Sequence, residues 1–139
     1  MPGQAQSGGY LSAYPTEFYD RLQKGEVYVW APFYTMHKML AGLYDMHTLA
    51  GNAQALAVLK GMCGWVDGWT ARWDEAHMQR ILNVEFGGMQ ETLYSLAALT
   101  GEDRWAQVGD RFTKKVIFNP LAAASDLVLA LYNPASAKR

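Results

Sequence analysis

His37, Glu85 and Glu91 are the side chains in this sequence whose types and placement could do chemistry. An imidazole at the start of a helix can hydrogen-bond two neighbouring hydroxyls through its two nitrogens. Two carboxylates on either side of the doublet Gly87-Gly88 suggest the acid pair that cleaves a glycosidic bond, which needs its two members about 5 Å apart when configuration is retained. Each residue also has a plainer explanation. A lone histidine more often caps a helix or fills a core, and Glu91 in a first helical turn complements the helix dipole beside a glycine turn. Gln90 adds an amide next to Glu91, while Trp30 and Tyr34 lie outside the regular helical spacing, where aromatic rings are free to stack on a sugar. Trp65, Trp69 and Trp73 recur every four residues, a spacing that favours core packing. His47 and His77 have surface or packing surroundings. Cys63, the single cysteine, sits on an apolar helical face and suits a small buried hydrophobe. Alone it can form neither an internal disulfide nor a zinc site. No residue is assigned a catalytic or metal-binding role.

The elements that must position these groups are helical. Pro15 suits the first turn of a short helix running to about Lys24, with Gly25 as its stop. Tyr28 to Tyr34 forms an aromatic stretch expected to be extended, because Pro32 biases Ala31 away from helix. From Thr35 the apolar residues Met36, Met39, Leu40, Leu43 and Met46 follow helical spacing up to Gly51. Asn52 is a good N-cap for the next helix, whose apolar face holds Ala55, Leu56, Leu59, Met62, Cys63 and Val66. A shorter helix is predicted from Asp74 to about Leu82, another from Met89 to Thr100, and a last one from about Glu102 to Val116, stopped by Asn119-Pro120. No strand is predicted. Leu43-Tyr44, Leu49, Gly51 and Val58 return as Leu93-Tyr94, Leu99, Gly101 and Val108, each at an offset of 50 residues. The repeat is a helical hairpin, which needs neighbours to bury both of its faces. Its periodicity alone allows an open solenoid or a closed ring of helix pairs.

At 139 residues the chain has the length of one domain, and an apolar half with 13% aromatics is enough for a sizeable core. A net charge of -1 with only 18% charged residues leaves no basic stripe to neutralise phosphates, which excludes nucleic acid as the main partner. The apolar runs are too short to span a membrane. Met1 to Gly9 has no apolar h-region and does not read as a secretory signal, so the compartment stays open.

Three collinear segments resemble a known family. They are Gly9-Tyr10-Leu11-Ser12-Ala13-Tyr14-Pro15, followed by Trp30-Ala31-Pro32-Phe33-Tyr34-Thr35-Met36-His37-Lys38 and Leu40-Ala41-Gly42-Leu43; then Asn83-Val84-Glu85-Phe86-Gly87-Gly88-Met89-Gln90-Glu91; and finally Pro120-Leu121-Ala122-Ala123. Together they resemble glycoside hydrolase family 127, the β-L-arabinofuranosidase-like proteins, over roughly residues 9–125. Gln90 stands where that family commonly has Asn, and Phe86 where some relatives carry a His. The resemblance implies an all-α fold of repeated helical hairpins forming part of an (α/α)6 barrel, the six-hairpin glycosidase type. Residues 1–8 are expected to be a flexible N-terminal segment, residues 9–125 the partial barrel, and residues 126–139 a divergent tail. The resemblance also implies carbohydrate as partner, with His37, Glu85, Gln90, Glu91, Trp30 and Tyr34 contacting the sugar.

In the family, a zinc-bound cysteine thiolate held by three cysteines and a glutamate is the retaining nucleophile, with another glutamate as acid/base. Those residues belong to a region after the one matched here. This chain is therefore expected to be a fragment of a glycoside hydrolase acting on L-arabinofuranosides or related plant-type glycans, without a cofactor of its own and inactive alone. A helical-repeat interaction module and a non-catalytic sugar-binding remnant are the alternatives. Incompleteness predicts self-association through unpaired helical faces, with Leu127, Val128, Leu129, Leu131, Trp69 and Trp73 as the stranded surface.

Overall fold

A computed structural model describes residues 8–25 and 29–123. Among these the structure is all-α, with seven helices and no strand: α1 (Glu17–Lys24), α2 (Pro32–Thr48), α3 (Ala53–Thr70), α4 (Glu75–Val84), α5 (Met89–Thr100), α6 (Arg104–Asp110) and α7 (Lys115–Ala122). The expected divergent tail, with Leu127 to Leu131, lies outside the described residues, as do residues 1–7.

The repeat seen in the sequence is two hairpins, α2 with α3 and α5 with α6. Both turn at a glycine with positive φ, Gly51 (67°) and Gly101 (70°), and Asn52 caps α3 by accepting the Ala55 N–H at 3.1 Å. The hairpins stack like on like, α2 against α5 and α3 against α6. A short helix precedes each hairpin, and these two, α1 and α4, also pack on each other. Ion pairs lace the outer helices: Lys60 Nζ lies 2.6 Å from Glu102, and Arg111 and Arg104 both reach Asp67.

The core is aromatic at one end. Tyr19, Phe33, Trp69 and Phe112 pack edge to face, and Tyr10 leans on Trp65 with ring centroids 4.7 Å apart. The N-terminal strap reaches this cluster because Gly9 (φ 96°) lies directly on α3, where a Cβ would come within 2.2 Å of the Gly61 carbonyl oxygen. Cys63 is fully buried, and burial pushes its thiol up to about 12. Trp73 is half-buried and stacks on His77, whose Nε2 meets the Gln23 carbonyl at 3.1 Å and ties α4 to α1. His47 contacts the Asn52 carbonyl across the first turn.

Four expectations change. Helix α2 begins at Pro32, three residues before Thr35, because proline at the first helical position loses no hydrogen bond and presets φ. The bend falls instead on Ala31 (φ 46°, ψ 50°), the one non-glycine residue with positive φ among the described residues. Helix α6 stops at Asp110 rather than Val116. The amide of Gln79 donates to the Thr113 carbonyl and accepts the Lys115 N–H, so a side chain replaces the backbone bonds at the break. Asn119-Pro120 does not stop a helix either, since Pro120 lies inside α7. Finally, Trp69 is buried rather than stranded. The large exposed apolar side chains include Leu49, Val116 and Leu121, the last two on α7, a helix with no buried residue.

Candidate functional site

The N-termini of α2 and α5 meet, and the six residues singled out in the sequence lie on or beside them. Helix α2 opens against two tyrosines. The hydroxyls of Tyr14 and Tyr19 both donate to the Pro32 carbonyl, at 2.7 and 3.2 Å, and lie 3.0 Å from each other. The αL turn at Ala31 leaves Trp30 with 92% of its surface exposed, and Tyr34 lies more than half exposed one helical turn on. A left-handed alanine costs about 1–2 kcal/mol, and such strain is retained where neighbouring contacts over-determine it.

Glu85 is the N-terminal cap of α2, although it lies 51 residues away in sequence. Its Oε1 accepts the Tyr34 N–H, and the Phe33 N–H also points to the carboxylate. Its Oε2 is buried without a partner. Two effects compete here. Burial raises the carboxyl above its ordinary 4.5 and the helix N–H groups lower it; burial wins.

His37, one turn further along α2, is 6% exposed. Gly88 (φ 80°) lies flat against its ring, where a Cβ at position 88 would be 2.3 Å from Nδ1. Nδ1 is consequently sealed and has no hydrogen-bond partner. Nε2 is the nitrogen left to meet a ligand, and it faces Glu91 Oε2 at 3.7 Å, too long for a hydrogen bond. Burial first, and then Lys38, hold the imidazole below its ordinary 6.5, against the opposing pull of Glu91. At neutral pH the ring is therefore uncharged. Glu91 itself keeps 80% of its side chain exposed. Gln90 donates through Nε2 to Thr113 Oγ1 at 3.1 Å, and its carbonyl oxygen accepts no hydrogen bond from another of the described residues.

The arrangement offers one neutral imidazole, one solvated carboxylate, one amide oxygen and two exposed aromatic faces. This is hydrogen-bonding and stacking equipment. Glu85 and Glu91 do not face each other across a gap: one is turned into the protein as a cap and the other outward. Sequence reasoning missed three parts of this assembly. The tyrosine brace needed the three-dimensional fold, and so did Gly88, visible only as half of a glycine break. Lys38 and Lys114 lie over the rings of Tyr34 and Phe86 at 5.2 and 4.4 Å; for Lys114 no sequence signal existed.

Among the described residues, hairpins stacked like on like define an all-α protein of repeated helical hairpins. The chain matches Beta-L-arabinofuranosidase, GH127 catalytic domain, over residues 3–131, and it belongs to this family of glycoside hydrolases. No curated protein matches the chain.

Proposed function

We propose that this chain forms the sugar-contacting part of a GH127 catalytic domain, binding L-arabinofuranosyl or related plant-type glycans without completing the cleavage by itself. The observation that carries this is the closure of Gly88 over His37. It seals one imidazole nitrogen and leaves the other, uncharged, facing the exposed carboxylate of Glu91. In this scheme His37 Nε2, Glu91 and the Gln90 carbonyl take sugar hydroxyls, while Trp30 and Tyr34 supply stacking faces. Glu85 contributes by holding the start of α2 in place.

The zinc centre implied by the family does not fit these residues. Among the described residues no three His, Cys, Asp or Glu side chains are grouped to hold a metal ion. Cys63 is buried, with its thiol held protonated, so it supplies no thiolate. No step is routed through zinc here.

Titration calorimetry of the whole chain with an L-arabinofuranosyl oligosaccharide tests the proposal. Saturable binding is expected, weakened about tenfold by His37→Ala, the loss of one well-placed hydrogen bond, with no release of arabinose. Absence of binding would overturn the sugar-contact role, and turnover by the purified chain would overturn the claim that cleavage needs more than this segment. Helix α7 adds a self-association face through Val116 and Leu121. A concentration-dependent sedimentation coefficient is expected, lowered when both residues are changed to Ser.

A further inference from the structure

Half of the ten described lysines and arginines are held by carboxylates. Lys60, Arg72, Arg104, Arg111 and Lys115 each meet a carboxylate at 2.5–3.8 Å. Lys38 and Lys114 do not: among the described residues, each ammonium instead rests over an exposed aromatic ring, Lys38 over Tyr34 at 5.2 Å and Lys114 over Phe86 at 4.4 Å. Both rings belong to the candidate site. Glu85 binds the backbone of Tyr34 and is followed directly by Phe86, so the two rings are brought to the same helix end. One lysine comes from α2 and the other from the residue that opens α7, and they approach the site from separate elements. Glu91, the exposed carboxylate of the site, is turned to His37 and forms an ion pair with neither lysine.

An exposed cation–π contact is worth only about 0.5–1 kcal/mol, so a lysine held this way turns to an arriving carboxylate at little cost. The ring beneath it meanwhile offers an apolar face for the C–H side of a sugar. We infer that the glycan taken at this site carries a carboxylate: an acidic sugar residue whose ring stacks on Tyr34 or Phe86 while its carboxylate pairs with Lys38 or Lys114. The inference rests on the sugar-contact reading above and narrows it from neutral glycans to uronate-bearing ones.

Its test is a matched pair of ligands, trigalacturonic acid and the same trimer with its carboxyls reduced to alcohols, titrated into the whole chain. Two exposed pairs predict about fivefold to tenfold tighter binding of the acidic trimer at low ionic strength. The preference should shrink in about 0.5 M salt, where screening acts within about 4 Å. Changing both lysines to Met should bring the ratio of the two affinities close to one, and changing both to Arg should keep it. Equal affinities in the unaltered chain, or a preference that survives the Met changes, would overturn the inference while leaving the sugar-contact reading standing on the arabinofuranosyl titration. If neither trimer nor the arabinofuranosyl oligosaccharide binds, both fall together.

Discussion

The two ends of the same helices are held in opposite ways. At the turn end, where α2 passes to α3 and α5 to α6, each chain reversal is closed by local contacts, and the Lys60–Glu102 ion pair ties one hairpin to the other. Gly51 and Gly101 reverse the chain with left-handed φ, Asn52 caps the helix that follows it, and the adjacent Leu49 is 84% exposed. At the opposite end Thr35 bonds back to Ala31, but the contacts that fix the helix start come from far along the chain. Helix α2 starts on a strained Ala31, is capped by a glutamate 51 residues away, and has its histidine sealed by a glycine from another element. Polar capacity is left over there, in His37 Nδ1 and Glu85 Oε2. The turn end is built for stability with short-range chemistry. The site end spends long-range contacts to hold groups in positions that no local rule would choose, which is what a ligand-binding constellation requires.

Paired glycine substitutions should separate the ends most strongly. Gly88→Ala forces a Cβ to within 2.3 Å of His37 Nδ1 at a positive φ. A loss of about 3 kcal/mol is expected from strain and overpacking together, along with loss of glycan binding. Gly51→Ala also has positive φ, but its Cβ would meet nothing within 4 Å. It should cost only about 1 kcal/mol and leave binding unchanged. Urea unfolding and calorimetry read both. Equal losses, or binding that survives Gly88→Ala, would remove the distinction between the ends.

The two caps give the next effect. Glu85→Ala leaves the Phe33 and Tyr34 N–H groups without their acceptor, expected to cost about 2 kcal/mol and to weaken sugar binding by shifting the start of α2. Asn52→Ala removes a local cap for about 1 kcal/mol with binding intact. Amide exchange at Tyr34 should rise only in the first variant. If Glu85→Ala left that exchange unchanged, the long-range cap would have no structural role.

What could be read from the sequence divides along the same line. The turn end was legible because its signals are local: glycine after a periodic helix, asparagine before the next, and a 50-residue repeat that fixes the hairpins. The first turn of α2 was not, since proline was read for its effect on Ala31 and not as a first helical residue. The break before Lys115 was equally hidden, because the Gln79 side chain that makes it lies 36 residues away. The site residues were drawn together only by the family's collinear motifs; residue types and spacing alone favoured a packed histidine and a dipole-matched Glu91. Glu85 shows the limit best. Its carboxylate type was visible, yet whether it faces a ligand or a backbone depends on which helix end folds against it.

The smallest effect is a pH dependence that carries opposite signs within the site end. His37 has a folded pKa below its ordinary 6.5, so the unfolded chain binds the proton more readily there. Its contribution to stability is therefore complete above pH 6.5 and is lost as pH falls through the lowered value. Glu85 has a folded pKa above its ordinary 4.5, so the folded chain is the better proton acceptor. Its contribution is complete below pH 4.5 and is lost as pH rises through the raised value. Between these limits the two slopes oppose each other, and the unaltered chain should show a flatter profile than either single variant. His37→Gln removes the loss on acidification and exposes the Glu85 slope, so that stability rises as pH falls. Glu85→Gln does the reverse and leaves stability falling with pH below 6.5. Unfolding free energies measured across pH 4–7 for the three proteins separate these outcomes. Two variants with parallel profiles would mean that burial at the joined N-termini of α2 and α5 does not set either proton.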